Sequence, residues 1–185
     1  MEKHKISVLV GSVSKNSINR KLAEAMIKLA PENFEFNFLD IGALPVYNYD
    51  NDGDIPAAAK SFKKAIAETD AFIMFTPEYN RSVPSVLKNA IDTGSRPWGQ
   101  NSWAGKPVAI IGASIGPSGT SIAQSHLRAS LACLQMRQMN LPEAYITITE
   151  NFYNADGTVG GGSAGFLKKW MESFAANVAK EVAKA

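Results

Sequence analysis

The sequence predicts an α/β fold, in which a doubly wound parallel sheet carries helices on both faces. Five short runs rich in β-branched and aromatic residues recur along the 185 residues, and helical patterns separate them. Runs such as Ala71–Phe75 and Val108–Ile111 are apolar at every position, as expected of strands that are covered on both sides. Strands and helices that alternate in this way form parallel sheets through right-handed crossovers.

The five apolar runs are the predicted strands of this sheet. They are Ile6–Val10, Phe34–Leu39, Ala71–Phe75, Val108–Gly112 and Tyr145–Ile148. Five strands fit the flavodoxin-like order 2-1-3-4-5, and the chain is too short for a closed barrel of eight strands and eight helices. We therefore expect a single domain over residues 1–185.

Each helical segment carries an apolar stripe that can cover the sheet. In the first segment, Asn19–Leu29, the apolar residues Leu22, Met26 and Leu29 fall on one face, and Ser17 precedes it as the expected N-cap. Further helices are predicted over Pro56–Glu68, Val83–Asp92 and Ser121–Met136. The last helix has apolar residues at every fourth position, namely Phe166, Trp170, Phe174, Val178 and Val182.

Composition excludes several classes of protein. A chain with 45% hydrophobic and 19% charged residues is an ordinary globular protein, and a net charge of +2 is small for a protein that coats nucleic acid. A single cysteine and two histidines rule out a disulfide framework and disfavour a metal site. The apolar run near the N-terminus is too short for a signal peptide, and no run is long enough to span a membrane. We therefore expect a cytoplasmic protein.

A ligand of an open parallel sheet binds beyond the carboxyl ends of the strands, where the strand order reverses. In the order 2-1-3-4-5 this point lies between the first and third strands. The loop after the first strand, residues 11–19, carries three serines and two asparagines and leads into a helix N-terminus, which suits a phosphate. A polar capped loop without a ligand is the alternative. The loop lacks the dinucleotide and P-loop patterns, so a nucleoside triphosphatase is disfavoured.

The loops after the third and fourth strands complete the predicted site. In residues 76–84, Tyr79 offers a ring face and Asn80 offers a donor and an acceptor, which together can line a planar heterocycle. A turn with a packed tyrosine is the alternative there. Residues 112–119 contain three glycines, which let the backbone approach a ligand closely.

These loops resemble those of the NAD(P)H-dependent FMN reductases, a family that includes quinone, azo-dye and chromate reductases. The resemblance spans nearly the whole chain. The matching motifs are Gly11-Ser12 to Ser17-x-Asn19-x-x-Leu22-Ala23, Pro77-Glu78-Tyr79-Asn80-x-Ser82-x-Pro84, Leu87-Lys88-Asn89-Ala90-Ile91-Asp92, Ser95-Arg96 and Ala104-Gly105-Lys106-Pro107. The block from Pro77 to Asp92 is more specific than the serine-rich loop.

The resemblance implies a flavodoxin-like fold that binds FMN non-covalently. It places Ser12, Ser14, Ser17, Ile18 and Asn19 around the phosphate, Pro77, Glu78, Tyr79 and Asn80 beside the isoalloxazine, and Ser114 and Gly116 on the far side of the ring. Many members of the family have an arginine where this chain has Ser14, so we expect a weaker phosphate contact here. The nearby cations Lys15 and Arg20 are candidates to replace it.

The resemblance also implies an enzyme. NAD(P)H would be the co-substrate, and quinones, free flavins, chromate or azo compounds would accept the electrons in a ping-pong cycle. No catalytic side chain and no metal are expected, because flavin N5 carries the chemistry. A homodimer or homotetramer is implied as well. The alternatives are a flavodoxin-type electron carrier, which the positive net charge disfavours, and a regulatory protein without cofactor.

Four residues outside the three predicted site loops have side chains whose environment can be predicted. Cys133 follows Leu131 in an apolar helical stretch, which predicts a buried thiol. His126 of the same helix is expected either to be structural or to lie at a subunit contact. The segment 96–106 is too long and aromatic for a simple turn, and Trp98 and Trp103 predict either a subunit interface or pocket wall, or local packing.

Overall fold

The computed structural model describes residues 2–183, which form a parallel sheet with helices on both faces. The strands are β1 His4–Val10, β2 Phe34–Phe38, β3 Ala71–Phe75, β4 Pro107–Ser114, β5 Arg137–Gln138 and β6 Tyr145–Thr147. The helices are α1 Ile18–Ile27, α2 Ala57–Ala67, α3 Ser85–Ser95, α4 Ser121–Cys133 and α5 Ala164–Val182. Met1, Lys184 and Ala185, which belong to the predicted domain 1–185, lie outside the described residues.

The strand order confirms the predicted topology. Strands pair in the order β2-β1-β3-β4-β5, and every pair is parallel. This is the flavodoxin-like order, in which the chain reverses its direction of winding between β1 and β3. The carboxyl ends of β1, β3 and β4 therefore lie side by side, and the loops that follow them meet at one edge of the sheet.

The fifth strand position is filled by two short segments instead of one strand. The sequence pattern predicts the second of them, β6, which pairs with Gly112–Ser114 of β4. It misses β5, which pairs with Pro107 and Val108 at the other end of the same strand. Between the two segments lies Pro142, which has no N–H to donate to the ladder. The predicted strand Tyr145–Ile148 is confirmed as β6, and β5 is a further short segment that the sequence pattern does not reveal.

Two separate hydrophobic cores cover the sheet. On one face, apolar side chains of α1 and α5 pack on the strands, with Trp170 and Phe174 fully buried. On the other face, α2, α3 and α4 bury Ile66, Leu87 and Leu127 against the opposite sides of the same strands. Strands β3 and β4 contribute to both cores, which explains why their sequences are apolar at nearly every position.

Helix boundaries depend on local capping that the apolar periodicity does not reveal. Ser17 caps α1, as predicted, because its Oγ accepts a hydrogen bond from Arg20 N at 3.2 Å. Helix α4 ends at Cys133, before the predicted end at Met136, since Gln135 adopts a left-handed conformation with φ 61°. Met136 N then donates to Leu131 O at 3.0 Å, the bond that closes a Schellman motif.

The prediction of a buried Cys133 is wrong, because this side chain is exposed. The buried stripe of α4 runs through Leu127 and Leu131, and a residue two positions further points to the opposite side of a helix. The two tryptophans of segment 96–106 differ. Trp103 is fully buried and donates from Nε1 to Ile91 O at 2.9 Å, which is local packing, whereas Trp98 is 87% exposed.

Within residues 2–183, no helix is both long and apolar enough to cross a membrane.

Candidate functional site

A cleft of about 260 Å³ lies at the carboxyl ends of β1, β3 and β4, where the sequence predicts the ligand. We call residues 11–19 the first wall and residues 76–82 the second wall; the loop after β4 forms the floor. The predicted site residues that line the cleft are Ser12, Ser17, Ile18, Asn19, Pro77, Glu78, Tyr79 and Ser114. Asn16, Ala113 and Ile115 also line it, and the sequence reasoning missed them.

The hydroxyl groups of the first wall each accept a hydrogen bond from the backbone. Ser12 Oγ accepts from Ser14 N at 3.4 Å, and Ser14 Oγ accepts from Asn16 N at 3.3 Å. Ser17 Oγ accepts from Arg20 N as the cap of α1. In each of these bonds the serine oxygen is the acceptor, so the O–H group of each serine stays available to donate to a ligand. The unpaired N–H groups of the first turn of α1 lie beside these hydroxyls and favour an anion.

Asn19 connects the first wall to the floor. Its side chain is 1% exposed, its Nδ2 donates to Ala113 O at 2.9 Å, and its Oδ1 accepts from Ala113 N at 2.8 Å. Both polar groups of the amide are therefore occupied by strand β4. Asn19 thus contributes its backbone N–H to the cleft, and its side chain fixes the start of α1 against the sheet.

The second wall is a tight hairpin turn that the sequence reasoning did not identify. Tyr79 and Ser82 exchange two backbone hydrogen bonds, of 3.1 and 3.0 Å. Asn80 and Arg81 between them both have positive φ, 50° and 62°, as a type I′ turn requires. Asparagine is typical of the first central position of such turns, but the second central position has Arg81 in place of the usual glycine, so the sequence does not show the turn. The turn leaves Tyr79 51% exposed at the cleft.

Glu78 ties the second wall to helix α4. Its Oε2 accepts hydrogen bonds from Ile122 N at 3.0 Å and from Ala123 N at 3.1 Å. These are first-turn N–H groups of α4, and the preceding residue, Thr120, provides no side-chain cap. The carboxylate therefore serves as the cap of a helix that is distant in sequence. The sequence allows Glu78 to be a general acid or a surface carboxylate that binds backbone groups, and the structure shows the backbone contacts.

A second contact joins the same two elements. Ser82 Oγ lies 3.1 Å from His126 Nδ1, so the turn is held to α4 on both sides of its tip. His126 thus has the structural role, the first of the two that the sequence allows.

The floor is formed where the backbone of β4 passes close to its neighbours. A Cβ atom on Gly112 would lie 2.2 Å from Thr76 O, so only glycine fits there. Ser114 Oγ donates to Gly116 O at 2.7 Å, and Thr147 Oγ1 donates to the same carbonyl at 3.1 Å. These bonds shape the loop and turn Ile115, which is 83% exposed, towards the rim of the cleft.

Three predicted residues lie outside the cleft lining. Asn80 occupies the tip of the turn, and Gly116 belongs to the loop behind Ser114. Ser14 lines a neighbouring groove together with Arg20 and Asp40. Arg20 is already engaged there, because its Nε donates to Glu24 at 2.7 Å and its guanidinium stacks 3.8 Å from the centre of the Phe38 ring.

The largest pKa shift in the molecule lies away from the cleft. Burial raises the pKa of Tyr153 to about 12, and its ring packs against the core on the α1 and α5 side of the sheet. Burial also lowers the pKa of Lys63, which donates to Gly94 O in the last turn of α3 and to Gln100 O beyond that helix. In the described part of the chain, no cluster of three or more histidine, cysteine or carboxylate side chains could hold a metal ion.

These features define a class of protein. A flavodoxin-like sheet with hydroxyls and a helix N-terminus on one side of its switch-point cleft, and an exposed aromatic ring on the other, is typical of α/β proteins that bind a nucleotide. The sequence pattern of the NADPH-dependent FMN reductase family matches residues 4–151. The chain belongs to this family.

Individual relatives cover nearly the whole chain. A 2-hydroxy-1,4-benzoquinone reductase from Burkholderia sp is 51% identical over 93% of this chain and 94% of its own length. A quinone reductase from Pseudomonas putida is 42% identical over 93% of each chain. The solved structure of FerB, a flavoenzyme NAD(P)H:(acceptor) oxidoreductase from Paracoccus denitrificans, superposes with a TM-score of 0.92 at 43% identity, covering 96% of this chain and 98% of that one.

Proposed function

We propose that this protein transfers electrons from NAD(P)H to quinones through a non-covalently bound FMN. The observation that carries the proposal is the convergence of three loops on one cleft with two chemically different walls. Membership in the FMN reductase family and the quinone-reducing relatives support the assignment. Free flavins, chromate and azo compounds are further acceptors that the proposal includes.

The chemistry of the cleft fits FMN. In the cleft, Ser12 and Ser17 each keep an O–H donor, and the first-turn N–H groups of Ile18 and Asn19 add backbone donors, which together suit a phosphate. Ser14, which lines the neighbouring groove, keeps a further O–H donor beside this set. Pro77, Glu78 and Tyr79 of the second wall would flank the planar ring, with Ser114 opposite and Asn80 and Gly116 at the rim. When bound, FMN would supply the hydride chemistry that the side chains of the cleft do not provide.

The protein's part in the reaction is to orient the two substrates and exclude water from the reacting face. The hydrogen-bonded turn holds Tyr79 and the backbone of the second wall in a fixed position, where N–H groups can stabilise negative charge. The loops after β1, β3 and β4 converge on one cleft at the switch point of the sheet. We infer that NAD(P)H and the acceptor occupy the same cleft in turn, which is a ping-pong cycle.

Absorbance spectroscopy tests the cofactor and the class together. The purified protein, supplied with FMN, should show flavin bands that bleach on anaerobic addition of NAD(P)H and return on addition of 1,4-benzoquinone. Double-reciprocal plots for the two substrates should be parallel, and intersecting lines would contradict the shared cleft. Flavin bands that NAD(P)H does not bleach would favour an electron carrier, and a colourless protein that rejects FMN would favour a regulatory role.

The proposal extends to assembly and location. Trp98 and Val46 expose 87% and 84% of their surface, and we propose that they help to form a homodimer or homotetramer. A reductase that draws on NAD(P)H is placed in the cytoplasm. Sedimentation at several protein concentrations tests the assembly, and a monomer at all concentrations would refute it.

A further inference from the structure

We propose that Arg81, at the tip of the second wall, selects anionic quinones as electron acceptors. This inference rests on the proposed quinone reductase activity and goes further, because it names the acceptor class and the residue that recognises it. The preferred acceptors would be quinones with an ionised ring hydroxyl. In 2-hydroxy-1,4-benzoquinone the ionised oxygen lies beside a carbonyl oxygen in the plane of the ring, and a guanidinium can bind this adjacent pair through two N–H groups.

The backbone conformation at Arg81 is the first reason to assign it a role. Its φ of 62° lies in the left-handed region, which costs an ordinary side chain roughly 1 kcal/mol and costs glycine almost nothing. Glycine is the usual residue at this position of a type I′ turn. An arginine held in a sparsely populated conformation beside a ligand cleft points to a function for its side chain.

The second reason is how the guanidinium is held. Arg81 Nη1 lies 3.4 Å from Glu78 Oε1, while Glu78 Oε2 is bound to the two N–H groups of α4. The Glu78 side chain is only 9% exposed and Arg81 is 70% exposed. The single weak contact therefore anchors the guanidinium at the rim of the cleft and leaves its other N–H donors facing solvent.

The charge balance of the cleft is the third reason. Among the residues that line it, Glu78 is the one carboxylate, and its charge is compensated by the N-terminal end of α4 as well as by Arg81. No uncompensated negative charge is therefore left on this side of the cleft to repel an anion. Tyr79 and Arg81 belong to the same tight turn, so we expect a quinone that binds beside the exposed Tyr79 ring to have its oxygens within reach of the guanidinium.

The overall reaction balances without a further reactant. The monoanion of 2-hydroxy-1,4-benzoquinone gains a hydride from NAD(P)H and two protons from water, and becomes neutral benzene-1,2,4-triol, while NAD(P)H becomes NAD(P)⁺. Arg81 takes no part in the proton or hydride transfer. It positions the anion, so its effect should fall on KM and on the dissociation constant of the acceptor, with kcat changed little.

The test compares 2-hydroxy-1,4-benzoquinone, which is ionised at neutral pH, with uncharged 1,4-benzoquinone. Arg81→Gln should raise KM for the hydroxyquinone about tenfold and leave KM for benzoquinone within twofold, because only the anion loses a charge-assisted contact. Arg81→Lys should restore only part of the affinity, because lysine keeps the charge and lacks the paired N–H groups. Lys64→Gln, which removes an exposed cation on α2 with 78% side-chain exposure, is the matched control and should change neither value.

Calorimetric titration of the oxidised protein with each quinone, without NAD(P)H, gives a readout that is independent of turnover. Arg81→Gln should weaken hydroxyquinone binding about tenfold, and added salt should weaken it in the original protein but not in the variant. Equal losses for both quinones, or no loss for either, would overturn the proposal. A raised KM for NADPH with NADH unchanged would assign Arg81 to the 2′-phosphate instead. Failure of the unaltered protein to reduce either quinone would refute the proposed function itself.

Discussion

The first and second walls face the same cleft, yet different interactions hold them in place. The first wall is fixed from inside the protein, because the buried amide of Asn19 makes two hydrogen bonds to Ala113 of the central strand β4. The second wall is fixed at the surface, where Glu78 caps α4 and a strained turn presents Tyr79 and Arg81 to solvent. Neutral buried bonds hold one wall, and charged, partly exposed contacts hold the other.

This difference has a functional meaning. A phosphate subsite must keep its donors in a fixed arrangement, and buried neutral hydrogen bonds are insensitive to salt and pH. A surface that receives successive substrates benefits from an exposed ring and a mobile charged side chain, which can adapt to different partners. Under the proposed function, the first wall would hold the cofactor phosphate, and the exposed tip of the second wall would receive the successive substrates.

The largest expected effect is on the first wall. Replacing Asn19 by alanine leaves the N–H and C=O of Ala113 buried without partners, so the free energy of unfolding should fall by about 2–4 kcal/mol. Urea denaturation measures the loss, and FMN affinity should fall with it. Asn16→Ala, an exposed change in the same loop, is the control and should have little effect on stability. Equal stability of the two variants would mean that the clamp does not hold the wall.

A smaller loss is expected at the second wall. Glu78→Ala removes the cap of α4 and should lower the free energy of unfolding by about 1–2 kcal/mol, with faster hydrogen exchange at Ile122 and Ala123. Glu78→Gln keeps an oxygen that can accept these bonds and loses only the charge, so it should be destabilised less. A glutamine variant as unstable as the alanine variant would show that charge, and not hydrogen bonding, holds this wall.

The third expected effect is on cofactor affinity, and the substitution should not change the free energy of unfolding. Ser14→Arg adds a cation beside the phosphate donors of the first wall and should tighten FMN binding about tenfold, as measured by quenching of flavin fluorescence. Arg20 cannot already supply this contact in its present conformation, since it is bound to Glu24 and stacked on Phe38. Ser125→Arg on the exposed face of α4 should leave FMN affinity as it is. Unchanged affinity in Ser14→Arg would refute the phosphate position.

The sequence by itself determined the fold, the strand order and the edge of the sheet where the cleft lies. These features follow from short-range patterns, because buried strands and amphipathic helices need apolar residues at fixed spacing. In addition, the crossover connections between parallel strands are right-handed. The loop residues Ser12, Ser17, Pro77 and Tyr79 could be assigned to one cleft for the same reason, since adjacent strand ends bring their loops together.

Only the tertiary structure decided what the polar side chains of these loops contact. Asn19 is equally suited to a phosphate or to a strand, and Glu78 to a ligand or to a helix end; the choice depends on which backbone groups lie nearby and lack partners. The tertiary structure also determined the type I′ turn at Asn80 and Arg81 and the presence of two short edge segments, β5 and β6. Local propensity is weak at these positions, so contacts between elements far apart in sequence determine the outcome.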